Sequence, residues 1–386
     1  MHPDLTRVIL LRHGRSTSND LGLYQGSSDA SRLTSTGEAE ACQTGSLLQT
    51  MDVAAIYSSP LQRARQTVEI LTAELAKMPL TIKAELREID LPGWQGLSLQ
   101  QVREDYAEAY RCWQDQPHRF HLQAGSDLSP DLSPGSVSLL QEPCFPVLDL
   151  YQRAAEFWAE ILPLHHGQTI VVVSHAGTIR ALISTAIGLD PSHYHQLQQS
   201  NCGFSLLQFR ASQPARAELQ LMNVTTHLGE VLPKLKEGKQ GLRLLILPNS
   251  LARLQRVLIQ KALHQVDLDF SLISPAADSS FPFQDVLPSF PSKQTLQLDP
   301  CTPPHRWQAL IDRYWCMAVA GNTPPQRPLT GLIVAPPPIL QLLLHNTVFP
   351  GFEPEFPLTG LSVLHFPTSD RRPILQALNL YHCSTI

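Results

Sequence analysis

Val8-Ile9-Leu10-Leu11-Arg12-His13-Gly14-Arg15 carries four apolar residues straight into an arginine, a histidine and a glycine, and Asn19 follows after a short polar stretch. The run reads as a buried strand ending in a sharp loop that presents an imidazole. A second stretch has the same shape, with Ile170-Val171-Val172-Val173-Ser174 leading into His175-Ala176-Gly177. Between them, Ser58-Ser59-Pro60-Leu61-Gln62-Arg63 reads as a strand end followed by a helix start: Ser59 is the cap, Pro60 suits the first turn, and Arg63 lies just inside. In open α/β sheets the binding crevice lies beyond the carboxyl ends of the strands, so His13 and His175 can converge there despite their separation in sequence.

Outward from these segments, the pattern predicts strands at 7–11, 54–58 and 169–174. Helices are expected over about 35–50, from Ser59-Pro60 to about Lys77, over 98–114, from Asp149 to Leu162, and from Thr178 to Ile187 with Gly188 as the stop. Residues 115–147 are rich in Pro, Ser and Gly and read as a surface excursion. Strands alternating with helices predict a three-layer α/β/α domain. At 386 residues the chain exceeds the ~100–200 residues of one domain, which suggests two; we place them at 1–235 and 236–386.

The second part echoes the first in order. Gly241–Leu247 resembles the first strand, Phe270–Pro275 resembles the approach to Ser59-Pro60, and Gly331–Ala335 resembles the strand before His175. Gly360–Phe366 resembles Gly203–Phe209, and Leu375–Asn379 resembles Leu219–Asn223. Five echoes in one order predict a degenerate, smaller α/β repeat. Its chemistry is missing, since Pro248-Asn249-Ser250 replaces Arg12-His13-Gly14, Asp278 replaces Arg63 and Pro336 replaces His175.

The three segments describe a phosphate pocket. A phosphoryl group has three equatorial oxygens, which two arginine forks and a histidine can match with charge-assisted hydrogen bonds. Neighbouring guanidinium charges lower an imidazole's pKa and keep it nucleophilic, a role that suits His13. The leaving alkoxide needs a proton and the later water needs a base. One carboxyl can serve both. Glu88 is the candidate, in Leu86-Arg87-Glu88-Ile89-Asp90-Leu91-Pro92-Gly93-Trp94-Gln95-Gly96, a glycine-punctuated loop able to fold over the crevice; Asp90 is the competitor.

These segments together resemble the histidine phosphatase superfamily, in its phosphoglycerate mutase-like branch, over residues 5–230. The motifs that carry the resemblance are LRHGRSTSN, YSSPLQRARQT, LREIDLPGWQG and VVVSHAGTIRAL. It implies that His13 is phosphorylated, that Arg12, Arg63 and His175 bind the phosphoryl group, that Glu88 is the acid/base, and that Asn19 contacts phosphate. Gly14, Gln25, Gly26 and Ala176 complete the expected substrate-binding set, with Arg111 and Arg119 from the inserted segment; with His118 and His121 these could meet a substrate carboxylate. Arg15 and Gln95 stand where many relatives carry Glu, and a Gly-Glu-Ser motif is not evident before the second histidine. Mutases of this branch usually have Arg after the acid/base Glu and a paired Arg motif in the insert. Ile89 follows Glu88 here, and 105–147 offers only Arg111 and Arg119, so hydrolysis is expected over isomerisation. The whole-chain pattern resembles 2-carboxy-D-arabinitol 1-phosphatase-like proteins of photosynthetic bacteria. That implies a sugar-acid or sugar phosphate as substrate. A regulatory or binding role for the second half, a dimer surface included, stays open.

Composition narrows the classes. A formal charge of −5 with both signs interspersed offers no basic stripe for nucleic acid or anionic membranes. No apolar run approaches the ~20 residues of a membrane span, and the start of the chain has no apolar signal core. Seven scattered cysteines without a CxxC pair predict a reduced, cytoplasmic protein. His165-His166 and His193/His195 have no ligand spacing for a metal, and the expected chemistry needs neither metal nor cofactor.

Overall fold

A computed structural model describes residues 4–73, 78–122, 144–236, 240–274, 292–319, 327–352, 356–367 and 372–382. The first part contains β1 (Leu5–Arg12), α1 (Thr17–Asp20), α2 (Ser35–Leu48), β2 (Ala55–Ser58), α3 (Gln62–Thr72), β3 (Leu80–Ile82), α4 (Leu99–Asp105) and α5 (Ala107–Asp115). It continues through α6 (Pro146–Ile161), β4 (Thr169–Ser174), α7 (Ala176–Ile187), β5 (Phe204–Arg210) and β6 (Gln213–Val224). After these come β7 (Leu242–Pro248), α8 (Arg253–Leu263), β8 (Leu268–Ile273), β9 (Ser292–Gln297), α9 (Pro304–Val319), β10 (Leu329–Ala335), α10 (Pro337–Thr347), β11 (Leu361–Phe366) and β12 (Ile374–Leu380). The α/β class expected from the sequence is what is found.

The chain forms two compact units, Met1–His195 with Phe209–Ala217, and Gln196–Gln208 with Glu218–Ile386. In the first unit four parallel strands run in the order β3-β2-β4-β1. β4 is buried along its whole length, which explains its unbroken apolar run. Helix α2 packs on α3 and α6 on α7.

Register is what assembles the site. Arg12 pairs with Ser174 and Ser58 with Val173, so β1, β2 and β4 end level with one another. The His13 amide donates to Ser174 O at 2.9 Å and the Ser59 amide to Val173 O at 3.0 Å, extending each ladder one residue into the loops.

Several boundaries differ from the sequence expectation for physical reasons. Helix α3 begins at Gln62 with Leu61 at its cap. The Ser59 hydroxyl accepts only from the Leu61 amide, at 3.3 Å, because it also bonds His175. Residues 98–114 form two helices, broken where Tyr106 leaves helical geometry. Helix α6 starts at Pro146, whose fixed φ suits a first turn, and α7 starts directly after His175. Most of the 115–147 excursion, 123–143, lies outside the described residues.

In the second unit the four parallel strands run β9-β8-β10-β7, the same element-by-element order as β3-β2-β4-β1. Asn249 N donates to Ala335 O at 3.0 Å and Ser274 N to Val334 O at 2.8 Å, as the His13 and Ser59 amides do in the first unit. Asp278, expected opposite Arg63, lies outside the described residues.

Candidate active site

The loop after β1 is held open by a close backbone approach. A Cβ on Gly14 would fall inside 3 Å of Gly37 O, so no larger residue fits there without moving α2. The Gly14 amide donates to Thr67 Oγ1 at 3.0 Å, which ties the loop to α3. His13 is 2 % exposed, and its Nδ1 lies 2.7 Å from Gly14 O. A carbonyl can only accept, so Nδ1 carries a proton, and in the neutral ring the lone pair is then on Nε2. This is the tautomer a nucleophile needs.

His175 sits beside it, with ring centroids 5.1 Å apart. Its Nε2 bonds Ser59 Oγ at 2.7 Å. Burial, then Arg63, His13, Arg12 and Arg153, holds its pKa well below the ordinary histidine value, so the ring is neutral at pH 7. Arg63 is 1 % exposed and clamps a neighbouring loop: Nη1 donates to Ser28 O at 2.7 Å and Nη2 to Gly26 O at 2.9 Å, while the buried Nε has no partner among the described residues. Gly26, at positive φ, thus serves Arg63 through its carbonyl. Arg12 is buried, and its pKa falls to about 10, chiefly through burial; Glu88 opposes the fall while Arg180 and Arg63 add to it.

Asn19, the third residue of α1, bonds back to the N-cap Ser16: its Oδ1 accepts from Ser16 N at 3.2 Å and Ser16 Oγ at 3.0 Å, and Ser16 Oγ also reaches Gln25 Oε1 at 3.1 Å. Both residues therefore brace the loop after His13.

Of the two carboxylates left open by the sequence, Glu88 is the one at the pocket. It rests on the first turn of α7, accepting from Gly177 N at 3.1 Å, Thr178 N at 3.1 Å and Thr178 Oγ1 at 3.3 Å, with Ala176 opening that helix next to His175. Those amides are unpaired within the helix and favour an anion. Asp90 is exposed and occupied with Ser27 Oγ at 2.6 Å and Gln95 Nε2 at 3.0 Å. The loop bearing both is pinned: Trp94 is buried against Trp113 and Phe120, and Gly96 N donates to Tyr24 O at 2.8 Å.

Other supports were not singled out from the sequence. Arg153 on α6 donates to Glu85 O and Arg87 O at 3.0 Å, and Ser174 Oγ to Leu86 O at 2.8 Å, fixing the backbone that carries Glu88. Tyr194 packs at Gly177. Nothing in the sequence signalled Arg153 or Ser174, since each acts through a backbone carbonyl far away in the chain. Arg111 and Arg119 are exposed, and Arg119 donates to Gln116 Oε1 at 3.2 Å. His121 is also exposed, bonded to Arg119 O.

Two buried histidines, the buried guanidinium groups of Arg12 and Arg63, and a carboxylate seated on a helix N-terminus thus share one pocket. The family model of the histidine phosphatase superfamily (branch 1) matches residues 8–130 and 141–224, more than half of the chain, and the chain belongs to that superfamily. A 2-carboxy-D-arabinitol-1-phosphatase of Triticum aestivum is 38% identical over 203 residues, 53% of this chain and 37% of that protein. A relative from Arabidopsis thaliana is 36% identical over 203 residues and 38% of its length. The chain thus spans little more than a third of these plant relatives. Phosphoserine phosphatase 1 of Hydrogenobacter thermophilus is 30% identical over 226 residues, 58% of this chain and 96% of that protein.

Proposed function

We propose that the protein is a phosphatase that hydrolyses a small phosphate monoester through a phosphohistidine. The observation that carries this is the 2.7 Å contact of His13 Nδ1 with Gly14 O: with Nδ1–H donating there, Nε2 is the nitrogen to attack phosphorus. As the new N–P bond forms and the ester P–O bond breaks, Arg12, Arg63 and His175 hold the equatorial oxygens. Glu88 gives its proton to the leaving alkoxide, then takes one from the water that cleaves the N–P bond. Guanidinium charge does the work a metal would otherwise do, and no cofactor is required.

Two features favour hydrolysis over a mutase. Ile89 follows Glu88, and Arg111 and Arg119, the basic residues of the insert, point to no second phosphate site because they are surface residues. Relatives named for 2-carboxy-D-arabinitol 1-phosphate and for phosphoserine support a sugar acid or related phosphate as substrate. Among the described residues no helix is long and apolar enough to cross a membrane, and we infer a cytoplasmic enzyme without nucleic-acid or membrane partners. The second half we infer to be a non-catalytic copy with Pro336 in the place of His175, structural or regulatory in use; a homodimer remains within this reading.

The test is phosphate release from sugar-acid phosphates, phosphoserine, 3-phosphoglycerate and sugar bisphosphates, with a chelator present and the His13→Ala protein as control. Release from one preferred ester, silent in the variant, is expected. Strict dependence on added Mg²⁺, or transfer of phosphate between hydroxyls without release, would overturn it.

A further inference from the structure

We infer that Arg180, with the hydroxyls of Tyr194 and Tyr151, forms a subsite that binds a carboxylate on the alcohol portion of the substrate. The inference rests on the phosphatase reading above and names the substrate class of the same site.

Arg180 lies on α7, three residues past Gly177 and four past Ala176, so all three share one face of the helix. Side chains on a helix lean toward its N-terminus, which directs this half-buried arginine back toward the turn where Glu88 is seated. Its guanidinium carbon lies 5.5 Å from the centroid of the Tyr194 ring. The Tyr194 hydroxyl and Glu88 Oε1 crowd the same spot: a Cβ on Gly177 would come inside 3 Å of both. Glu88, Tyr194 and Arg180 therefore surround one glycine at the mouth of the helix.

Tyr151 stands next to Tyr194, with ring centroids 6.4 Å apart. It is 8 % exposed, and its hydroxyl neighbours that of Ser184. Burial raises the pKa of both tyrosines, so each stays a donor at pH 7. Two hydroxyls able to donate and a planar guanidinium fork match a carboxylate.

Charge points the same way. Arg180 and Arg63 both lie close enough to Arg12 to disfavour its protonated form. Three guanidinium groups gathered around one pocket repel one another and are offset in part by Glu88. A dianionic phosphate at Arg12 and Arg63, with a carboxylate at Arg180, relieves that repulsion. With the phosphate at Arg12 and Arg63, Glu88 would meet the ester oxygen, and Arg180, gathered with Glu88 around Gly177, the carboxylate of the alcohol portion. This assigns to Arg180 the role that the sequence had suggested for Arg111 and Arg119.

Two matched pairs of esters read the subsite in the full-length protein: phosphoserine against phosphoethanolamine, and 3-phosphoglycerate against glycerol 3-phosphate. Each pair differs at the carboxylate. The wild-type ratio of kcat/KM within each pair should favour the carboxylate. Arg180→Met should lower that ratio ~10- to 100-fold, mainly through KM, as the loss of a charged hydrogen-bonding partner does, and Arg180→Lys should restore part of it. Tyr194→Phe removes one oxygen and should lower the ratio less; it serves if Arg180→Met does not fold. A wild-type ratio at or below one overturns the proposal, as does a ratio unchanged in Arg180→Met even when all rates fall. If the wild-type protein releases phosphate from neither member of either pair nor from any other ester of the wider panel, the hydrolase reading fails instead. Calorimetric binding of the same pairs to the His13→Ala protein then decides the subsite. Tighter binding of 3-phosphoglycerate than of glycerol 3-phosphate, lost on adding Arg180→Met, upholds it, and equal binding overturns it.

Discussion

Glu88 must be a proton donor at one moment and a base at the next, and its setting bears on both. Two amides and a hydroxyl from the start of α7 fix the carboxylate in one orientation, while Arg153 and Ser174 fix the backbone behind it. Glu88→Gln keeps the shape and part of the hydrogen bonding but has no proton to give. It should lower turnover of alkyl phosphates by ~10²–10⁴ and turnover of p-nitrophenyl phosphate much less, because that leaving group needs no acid. A loss of the same size for both esters would mean that Glu88 only positions the loop. The sequence narrowed the acid to Glu88 or Asp90 and could go no further. What separates them is which carboxylate meets the N-terminus of α7, a contact between residues about ninety positions apart. Arg153, Tyr194 and Arg180 escaped notice for the same reason.

At the scale of elements, the parts legible in advance were those written as local pattern. The apolar runs of β1 and β4 place His13 and His175, and their parallel register brings the two rings together. The beginning of α3 was misread because Ser59 looks like a cap, and its hydroxyl is shared with the His175 ring. The start of α7 is where three functions meet: it seats Glu88, follows His175 and carries Arg180. Gly177 makes this possible by having no side chain. Gly177→Ala would push its methyl inside 3 Å of both Tyr194 Oη and Glu88 Oε1, although alanine suits a helix better than glycine. Activity should therefore fall by ~10²-fold, the cost of misplacing a catalytic group by about 1 Å, while the melting temperature changes little. Full activity in this variant would show that Glu88 and Tyr194 can move without consequence.

For the whole molecule the question is whether the catalytic half stands alone. Residues Gln196–Gln208 and Glu218–Val224 belong to the second compact unit although they precede 235. Two asparagines mark how closely that unit is knit. Asn223 and Asn379 both adopt positive φ, a conformation asparagine tolerates better than most residues. Asn223 N donates to Ser205 Oγ and Asn379 N to Ser362 Oγ, each at 3.1 Å. Asn223 Nδ2 donates to Gln376 O at 2.6 Å, and Asn379 Nδ2 returns the bond to Gln220 O at 2.8 Å. Gln198 N also donates to Leu375 O at 3.0 Å, and Gln376 Nε2 to Gln198 Oε1 at 2.9 Å. The echo between 219–223 and 375–379 was visible in the sequence, but its reciprocity was not, because a strand pattern does not name its partner. Ending the chain after residue 235 would strip these partners from Gln198, Gln220 and Asn223 and leave β6 as a bare edge, and unpaired edges invite aggregation. The 1–235 fragment should therefore be insoluble or unfold without a cooperative transition, with no phosphatase activity. Circular dichroism melting and gel filtration decide the matter, and a monomeric, cooperatively folded, active fragment would mean that the second half serves regulation or ligand binding and is not needed as support.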